Sequence, residues 1–330
     1  MNVGILMNIY ANNENYLNDL KITADLLIAS DNFLIIAHAF PDGDTIGSSY
    51  ALCLSLITIG KHAKVVCSDN IPNKYEYIYS SLTQLDFEPK FIISMDIADT
   101  NLFGEKLQEY AGIVDLCIDH HISNKKYAKF TLLDAKAAAT SEIIADVVKL
   151  LGVKFDSVIA DSIYTGLATD TGCFRYSNTT PKTLRCAADM IEFGAKSAII
   201  NKRMFETNSR ARLEIERSAM NSLEFFCNEK AVLICITLEM LEKAGATELD
   251  LEGIPSLPVR IEGVIAGITI KEKSKGHYKI SVRTNNGVNA SKICASLGGG
   301  GHAAAAGCQF DGTLEEVKKV MIELVNKELS

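Results

Sequence analysis

The 330-residue sequence has no tryptophan, only six prolines and no Cys-x-x-Cys motif among its nine cysteines. Few prolines, with 48% hydrophobic and 22% charged residues, exclude a disordered chain. Scattered cysteines in odd number exclude a zinc ribbon or a disulfide framework and favour a reducing compartment. No apolar run has the length of a membrane span, and the run at residues 3–9 is too short for a signal peptide. We therefore expect a cytosolic (cytoplasmic) protein.

Basic residues are also in the minority, since 33 Lys and Arg stand against 41 Asp and Glu, for a net charge of −8. Affinity for long duplex nucleic acid comes largely from neutralising phosphates, so this chain is a poor candidate for wrapping a duplex. A local basic groove could still hold a short single strand. The length exceeds what one hydrophobic core usually serves and predicts two domains.

In the first half of the sequence, short apolar runs alternate with segments of helical pattern. Strands are predicted at residues 32–39, 63–67, 91–95 and 112–118, and helices at 45–59, 140–151, 156–169 and 181 to about 194. This alternation predicts an α/β domain with a parallel sheet flanked by helices. In such sheets the functional residues gather at the carboxyl ends of the strands.

The second half predicts a smaller α+β domain. Its strands are expected at residues 231–237, 264–270 and 277–283, followed by the glycine-rich run Gly298–His302 and an amphipathic helix at 314–329. The segment between the halves is polar and helical in character. The predicted domain boundaries are therefore 1–195 for the first domain, 196–224 for a helical linker and 225–330 for the second domain.

Carboxylates and imidazoles follow the predicted strands and one helix of the first domain, and all should meet at one edge of the sheet. They are His38, Asp42, Asp44, Asp96, Asp119, His120, His121 and Asp170. Each aspartate alone is also an ordinary turn residue. Together they would repel strongly unless neutralised, and two divalent cations would offset about four negative charges. Three of the six histidines fall in this set, which favours a metal site.

The mixture of His and Asp suits manganese or another transition ion better than magnesium, which prefers oxygen ligands. Two such ions about 3.5–4 Å apart form a clamp that stabilises phosphoryl transfer. The sequence therefore predicts metal-assisted hydrolysis of a phosphoester or phosphoanhydride. No Ser-His-Asp arrangement, Gly-x-Ser-x-Gly motif or Gly-x-Gly-x-x-Gly motif after the first strand points to another reaction.

In order along the chain, these residues resemble the four motifs of the DHH phosphoesterase superfamily. The motifs are His38-Ala-Phe-Pro-Asp42-Gly-Asp44, Asp96, Asp119-His120-His121 and Thr169-Asp170-Thr171-Gly172. The run Gly298 to His302, followed by Ala306-Gly307, is similar to the signature of the DHH-associated C-terminal domain. The overall length looks most like the stand-alone nanoRNase and pAp-phosphatase (NrnA-like) group. The resemblance covers roughly residues 30 to 310.

The resemblance implies a role for each matching residue. His38 and Asp42 would hold one metal, Asp44, His120 and Asp170 the other, and Asp96 would bridge both. His121 would face the scissile phosphate or the leaving group as a catalytic residue. Asp119 would orient the imidazole of a metal ligand, as such imidazoles usually require.

Substrate contacts are implied for the second domain, across a cleft between the two domains that would hold the active site. They fall on Arg283 and on the loop residues Gly299, Gly300, Gly301 and His302. Glycines let backbone N–H groups approach a phosphate, and arginine offers a forked donor. The run Ala303–Ala306 departs from relatives, which often carry a polar residue there, and this leaves the fine substrate preference open.

The implied activity is hydrolysis of short oligonucleotides (nanoRNA, dinucleotides) to mononucleotides, with removal of a phosphate from pAp as an additional reaction. Expected partners are short single-stranded RNA or DNA and two divalent ions, most suitably Mn²⁺, with a homodimer left open and no membrane. The main alternative is a cyclic-di-AMP or linear pApA phosphodiesterase of bacterial signalling. A pyrophosphatase or polyphosphatase and a non-enzymatic nucleotide-binding module are further alternatives.

Overall fold

The computed structural model describes residues 14–80, 82, 86–285 and 287–329, so the apolar run at residues 3–9 lies outside the described part. The chain divides into two compact units between Thr207 and Asn208. In the described ranges, none of the helices is both long enough and apolar enough to cross a bilayer.

The first unit contains a parallel sheet, as the sequence predicts. Its strands are β1 (Phe33–Ala37), β2 (Ala63–Cys67), β3 (Phe91–Met95), β4 (Leu116–Asp119) and β5 (Phe130–Leu133), in the order β2-β1-β3-β4-β5. The predicted strand at 112–118 begins later because residues 112–115 form bends and turns. The short strand β5 was not predicted, since four residues after a lysine-rich segment give little periodicity.

Helices cover this sheet. They are α1 (Glu14–Ala29), α2 (Gly43–Thr58), α3 (Glu76–Tyr79), α4 (Thr140–Leu150), α5 (Ser157–Asp170), α6 (Pro181–Glu192) and α7 (Ser197–Asn201). Short 3₁₀ helices occupy Asn73–Tyr75, Thr100–Phe103 and Glu105–Tyr110, and a π-helical turn occupies Lys202–Glu206. Alternate residues of β1 pack into apolar clusters on opposite faces: Ile35 packs in one cluster, and Leu34 and Ile36 in the other. Burial on both faces explains why β1 is apolar throughout.

Helices α2 and α5 cross very closely, and two glycines make the crossing feasible. A Cβ atom placed at Gly47 would lie 2.3 Å from the carbonyl oxygen of Ser162. One placed at Gly166 would lie 1.9 Å from Oγ of Ser141 and 2.6 Å from Oδ1 of Asp44. The close approach brings the amino end of α2 beside α5.

The second unit is the smaller α+β domain expected from the sequence. Its elements are α8 (Arg210–Asn221), β6 (Glu224–Phe226), β7 (Ala231–Ile236), α9 (Leu238–Ala244), β8 (Ala266–Ser274), β9 (His277–Thr284), α10 (Ala290–Ala295), β10 (Gly300–His302), β11 (Ala305–Asp311) and α11 (Leu314–Leu329). The strand order is β10-β11-β9-β8-β7-β6, with β7 and β8 parallel and the other neighbours antiparallel.

Helices pack on both faces of this mixed sheet. On one face α11 buries Val317, Met321 and Val325, which recur at the spacing of a helical stripe. On the other face Ile215 and Ala219 of α8 pack near Ile234 and Ile236 of β7. Residues 210–221, which the sequence assigned to a linker, therefore form a helix packed on this sheet.

The α2–α5 crossing generates the first prediction. Gly47→Ala should lower the free energy of unfolding by about 1–3 kcal/mol, because the added methyl group collides with backbone and the helices must separate. The higher helix propensity of alanine opposes this loss by about 1 kcal/mol at most. Urea unfolding followed by circular dichroism measures the change. The control Gly112→Ala, exposed and with open space around it, should stay within about 0.5 kcal/mol of wild type. Equal losses in the two variants would contradict the crossing as the cause.

Candidate metal centre

The edge of the first sheet at the carboxyl ends of its strands carries the residues that the sequence predicts there. His38 follows β1, Asp96 follows β3, and β4 ends on Asp119, directly before His120 and His121. Because the strands are parallel and β3 lies between β1 and β4, these side chains share one edge. Asp96 adopts a left-handed backbone conformation with φ of 60°. Such a conformation is costly outside glycine and is often found at functional sites.

Helix ends supply the remaining carboxylates. Asp42 is the N-cap of α2, and its Oδ1 accepts hydrogen bonds from the backbone N–H groups of Asp44 and Thr45, each at 3.0 Å. Asp44 lies in the first turn of α2, and Asp170 is the last residue of α5. The close crossing of these two helices therefore brings Asp44 near Asp170.

Potential ligand atoms gather in three overlapping groups, in each of which the atoms lie within 4.8 Å of one another. The groups are His38, Asp42 and Asp96; Asp44, His120 and Asp170; and Asp96, His120 and His121. We call the first two the first triad and the second triad. Together they contain all six predicted metal ligands.

Asp96 belongs to the first triad and also reaches the second, with a different oxygen toward the histidine of each. Its Oδ2 lies 3.7 Å from Nε2 of His38, and its Oδ1 lies 3.7 Å from Nε2 of His120. The same imidazoles approach the other carboxylates, with His38 Nε2 at 3.6 Å from Asp42 and His120 Nε2 at 3.2 Å from Asp170. One carboxylate between two sets of ligands is the arrangement that a bridging ligand needs.

The imidazoles are oriented as metal ligands usually are. Nδ1 of His38 lies 2.6 Å from the carbonyl oxygen of Ala39, and Nδ1 of His120 lies 3.2 Å from that of Ala137. A carbonyl only accepts, so each Nδ1 carries the hydrogen and donates it. Each Nε2 faces the carboxylates, where it can offer a lone pair to a cation that displaces its proton. Nε2 of His120 is buried, and no described residue gives it a hydrogen bond of suitable geometry. Lone pairs and carboxylates that converge in this way fit a divalent cation.

The pKa values of these groups reflect the burial of several carboxylates close together. Burial and then the carboxylate of Asp96 raise the pKa of Asp44 to about 7. Burial and neighbouring carboxylates likewise raise the pKa values of Asp96 and Asp170 to about 6. Burial lowers the pKa of His120, but the carboxylates of Asp170, Asp44 and Asp96 raise it to about 10 overall. Protons or cations must offset this charge, and cations can do so without protonating any ligand.

The amino end of α4 supports two of these carboxylates. The backbone N–H groups of Thr140 and Ser141 donate to Oδ2 and Oδ1 of Asp44 at 2.6 and 2.9 Å. The hydroxyl of Thr140 donates to Oδ1 of Asp96 at 2.8 Å. A helix amino terminus favours negative charge. Sequence reasoning did not assign Thr140 to the site, although the predicted helix starts at this residue.

Asp119 orients His121. Oδ1 of Asp119 lies 2.7 Å from Nδ1 of His121, and its Oδ2 accepts a hydrogen bond from Nδ2 of Asn124 at 2.6 Å. The hydrogen bond with Asp119 raises the pKa of His121. The sequence led us to expect a contact between Asp119 and a metal-ligand imidazole, but the structure gives His120 only a backbone contact with this carboxylate. Sequence reasoning missed Asn124.

A cavity of about 270 Å³ opens over the cluster. Its lining combines charged and apolar residues, namely His38, Ala39, Phe40, Asp42, Asp96, Leu102, His121 and Asp170. All of them belong to the first unit.

In the second unit, the predicted substrate-binding residues lie on neighbouring strands. Residues 300–302 form the edge strand β10, where the sequence predicted a loop, because Gly301 and His302 pair with Ala306 and Ala305 of β11. Ala305 pairs in turn with Arg283 of β9. Cross-strand partners share a face, so His302 and Arg283 lie on the same face with only the small Ala305 between them.

Gly299 and Gly300 differ in how much room they leave. The N–H of Gly299 donates to the carbonyl oxygen of Cys294, and a Cβ atom there would lie 2.5 Å from Cβ of Cys308. A Cβ atom at Gly300 would meet no atom of the described part of the chain within 4 Å. Gly299 is therefore required for close packing, whereas Gly300 leaves open space beside the edge strand.

Known proteins share both units of this chain. Residues 32–167 match the model of the DHH family, N-terminal domain, and residues 230–330 match that of the DHHA1 domain. The bifunctional oligoribonuclease and PAP phosphatase NrnA of Thermus thermophilus is 32% identical over 324 residues, which cover 96% of each chain. The chain belongs to the DHH family.

Other relatives agree with this membership and confirm the resemblance seen in the sequence. The bifunctional oligoribonuclease and PAP phosphatase NrnA of Bacillus subtilis is 26% identical over 306 residues, which cover 89% of this chain and 94% of that protein. The crystal structure of an exopolyphosphatase-related protein from Bacteroides fragilis has the same fold, with a TM-score of 0.85, 24% identity and coverage of 94% and 96% of the two chains. The DHH match ends at residue 167, just before Asp170, which the geometry adds to the cluster.

The central position of Asp96 in the DHH domain generates the second prediction. Asp96→Asn should weaken Mn²⁺ binding at least about tenfold, because it removes the charge that faces both triads. Asparagine tolerates a left-handed backbone, so the fold should persist. Isothermal titration calorimetry measures the binding, and the exposed Asp86→Asn serves as the control. Unchanged Mn²⁺ affinity in Asp96→Asn would contradict the assignment.

Proposed function

We propose that this protein is a metal-dependent phosphoesterase that hydrolyses short oligonucleotides to mononucleotides and also removes a phosphate from pAp. The observation that carries the proposal is the position of Asp96 between the two triads, with one oxygen toward His38 and the other toward His120, beside an open cavity. The names of its full-length relatives support this activity and both substrate classes.

We assign His38 and Asp42 to one divalent ion, Asp44, His120 and Asp170 to a second, and Asp96 to both. Mixed imidazole and carboxylate ligands favour Mn²⁺. Divalent cations held there would supply Lewis acidity toward phosphoryl oxygens and would activate water as the nucleophile. The fixed imidazole orientations of His38 and His120 support this assignment, since each Nε2 already faces its carboxylates.

His121 is the proposed general acid. Asp119 holds its Nδ1, which leaves Nε2 as the proton donor toward the leaving oxygen of a phosphoester in the cavity that His121 lines. The raised pKa of His121 favours the protonated form that a general acid requires. Asn124 holds the other oxygen of Asp119 and thus fixes the direction of the carboxylate.

Arg283, His302 and the adjacent glycines are the proposed contacts for the remote part of the substrate. The shared face of Arg283 and His302, separated by a small alanine, supports a joint contact with one phosphate or base. Binding energy from a remote group would position the scissile bond and would favour short substrates. We also propose a cytosolic location, supported by the free thiols of all nine cysteines.

A cyclic-dinucleotide or linear-dinucleotide phosphodiesterase is the second candidate. The cyclic-di-AMP phosphodiesterase GdpP of Geobacillus thermodenitrificans is 24% identical over 92% of this chain, but the match covers only 48% of that protein. Cyclic di-AMP and pApA therefore belong in the same substrate panel as an RNA dinucleotide and pAp.

The third prediction concerns catalysis. Wild-type protein with Mn²⁺ should cleave a labelled RNA dinucleotide and pAp faster than cyclic di-AMP, and a chelator should abolish the reaction.

His121→Gln should lower kcat by about 10²–10⁴-fold, because the leaving oxygen loses its proton donor. Calorimetry should show that the variant retains Mn²⁺ binding. His62→Gln is the matched control, since His62 also contacts an aspartate but does so in an exposed pair. Intact dinucleotide after prolonged incubation would refute the proposed function.

A further inference from the structure

Phe40 is an exposed aromatic residue inside the candidate active site. Its side chain is 83% exposed, although it stands in sequence between His38 and Asp42 of the first triad. It lines the cavity together with Leu102, which is 37% exposed. Apolar side chains beside a few convergent polar groups in one cavity are typical of a ligand-binding site.

The backbone of Phe40 is held in place. Phe40 has φ of 57°, a left-handed conformation that is uncommon outside glycine and costs free energy. Its N–H donates to Oδ2 of Asp69 at 2.9 Å, and the N–H of Ala39 donates to the carbonyl oxygen of Leu102 at 2.7 Å. The next residue, Pro41, is buried. The backbone of the turn is therefore fixed on both sides, so binding has to order only the side-chain torsions of Phe40.

The chemistry of the cavity separates two kinds of contact. Carboxylates and imidazoles, with their cations, can receive a phosphoryl group, but they offer no apolar surface. The flat face of Phe40 offers that surface in the same cavity. A nucleotide carries both complementary parts, a charged phosphate and a flat base, and bases stack on aromatic side chains without regard to sequence.

We propose that Phe40 is a specificity-determining residue that stacks on a nucleobase of the substrate while the adjacent phosphate lies at the two triads. The proposal rests on the proposed function, because it requires a nucleotide substrate. It predicts that the enzyme distinguishes substrates by whether a base is present and much less by which base it is.

Kinetics with an abasic substrate test this fourth prediction. Wild type should cleave an RNA dinucleotide with kcat/KM about tenfold or more above that of the dinucleotide analogue lacking the stacked base, each position being made abasic in turn. Phe40→Asn removes the ring, but asparagine tolerates the left-handed backbone. This variant should bring the two substrates within about twofold of each other, whereas Phe40→Tyr should keep the preference. Calorimetry of Mn²⁺ binding shows whether the cluster is intact in each variant.

A preference that persists in Phe40→Asn would overturn the stacking proposal while leaving the proposed function standing. A wild-type protein that cleaves no dinucleotide would refute the proposed function. The role of Phe40 can then still be tested by fluorescence, which does not require turnover. The chain has no tryptophan, so Phe40→Trp introduces a single indole at the site. With Mn²⁺ present, AMP should quench its fluorescence saturably, and ribose 5-phosphate, which has no base, should not.

Phe87→Trp is the control for non-specific quenching. Phe87 packs against Lys64 and His62 near the amino ends of the strands, at the opposite edge of the sheet from the cluster. AMP should leave the fluorescence of this control unchanged. The proposal would be overturned if AMP and ribose 5-phosphate changed the fluorescence of Phe40→Trp equally, or if neither changed it.

Discussion

The first domain brings more negative charge into one buried site than that site can hold without compensation, and this electrostatic constraint governs the metal centre. Asp44, Asp96 and Asp170 lie together with two imidazoles whose Nε2 atoms face the cluster. Burying unpaired charges is expensive, so such a cluster persists only where protons or cations neutralise it. The raised pKa values of the carboxyl groups express the same excess, and bound cations would relieve it while keeping every carboxylate ionised.

The fold bears a local cost to hold this cluster. Asp96 and Phe40 have left-handed backbones, and Cys173 and Phe174, shortly after Asp170, do as well. The glycines at the α2–α5 crossing have low helix propensity, but they let the two helices approach closely and so bring Asp44 near Asp170. Strain and weak local propensity near ligand positions are typical of functional sites, where geometry matters more than local stability.

Parallel topology made much of the site predictable from the sequence. His38, Asp96 and His120 follow separate strands, and parallel strands bring their carboxyl ends to one edge, so their convergence could be expected without coordinates. The support of Asp44 by the amides of Thr140 and Ser141 could not be expected, because no local pattern links residues 96 positions apart. Likewise, the spacing of residues in the sequence does not reveal that the carboxylate of Asp119 contacts the imidazole of His121 and not that of His120. The glycine run suggested a loop because glycine is rare in strands, but pairing with β11 overrides that propensity.

The central claim is that two cations neutralise the cluster jointly through Asp96. Anomalous diffraction from a crystal soaked in Mn²⁺ tests it most directly. The account predicts two peaks about 3.5–4 Å apart, one beside His38 and Asp42 and the other beside His120 and Asp170, with Asp96 contacting both. A single peak, or none, with Asp96 and Asp170 paired to protonated imidazoles instead, would contradict it.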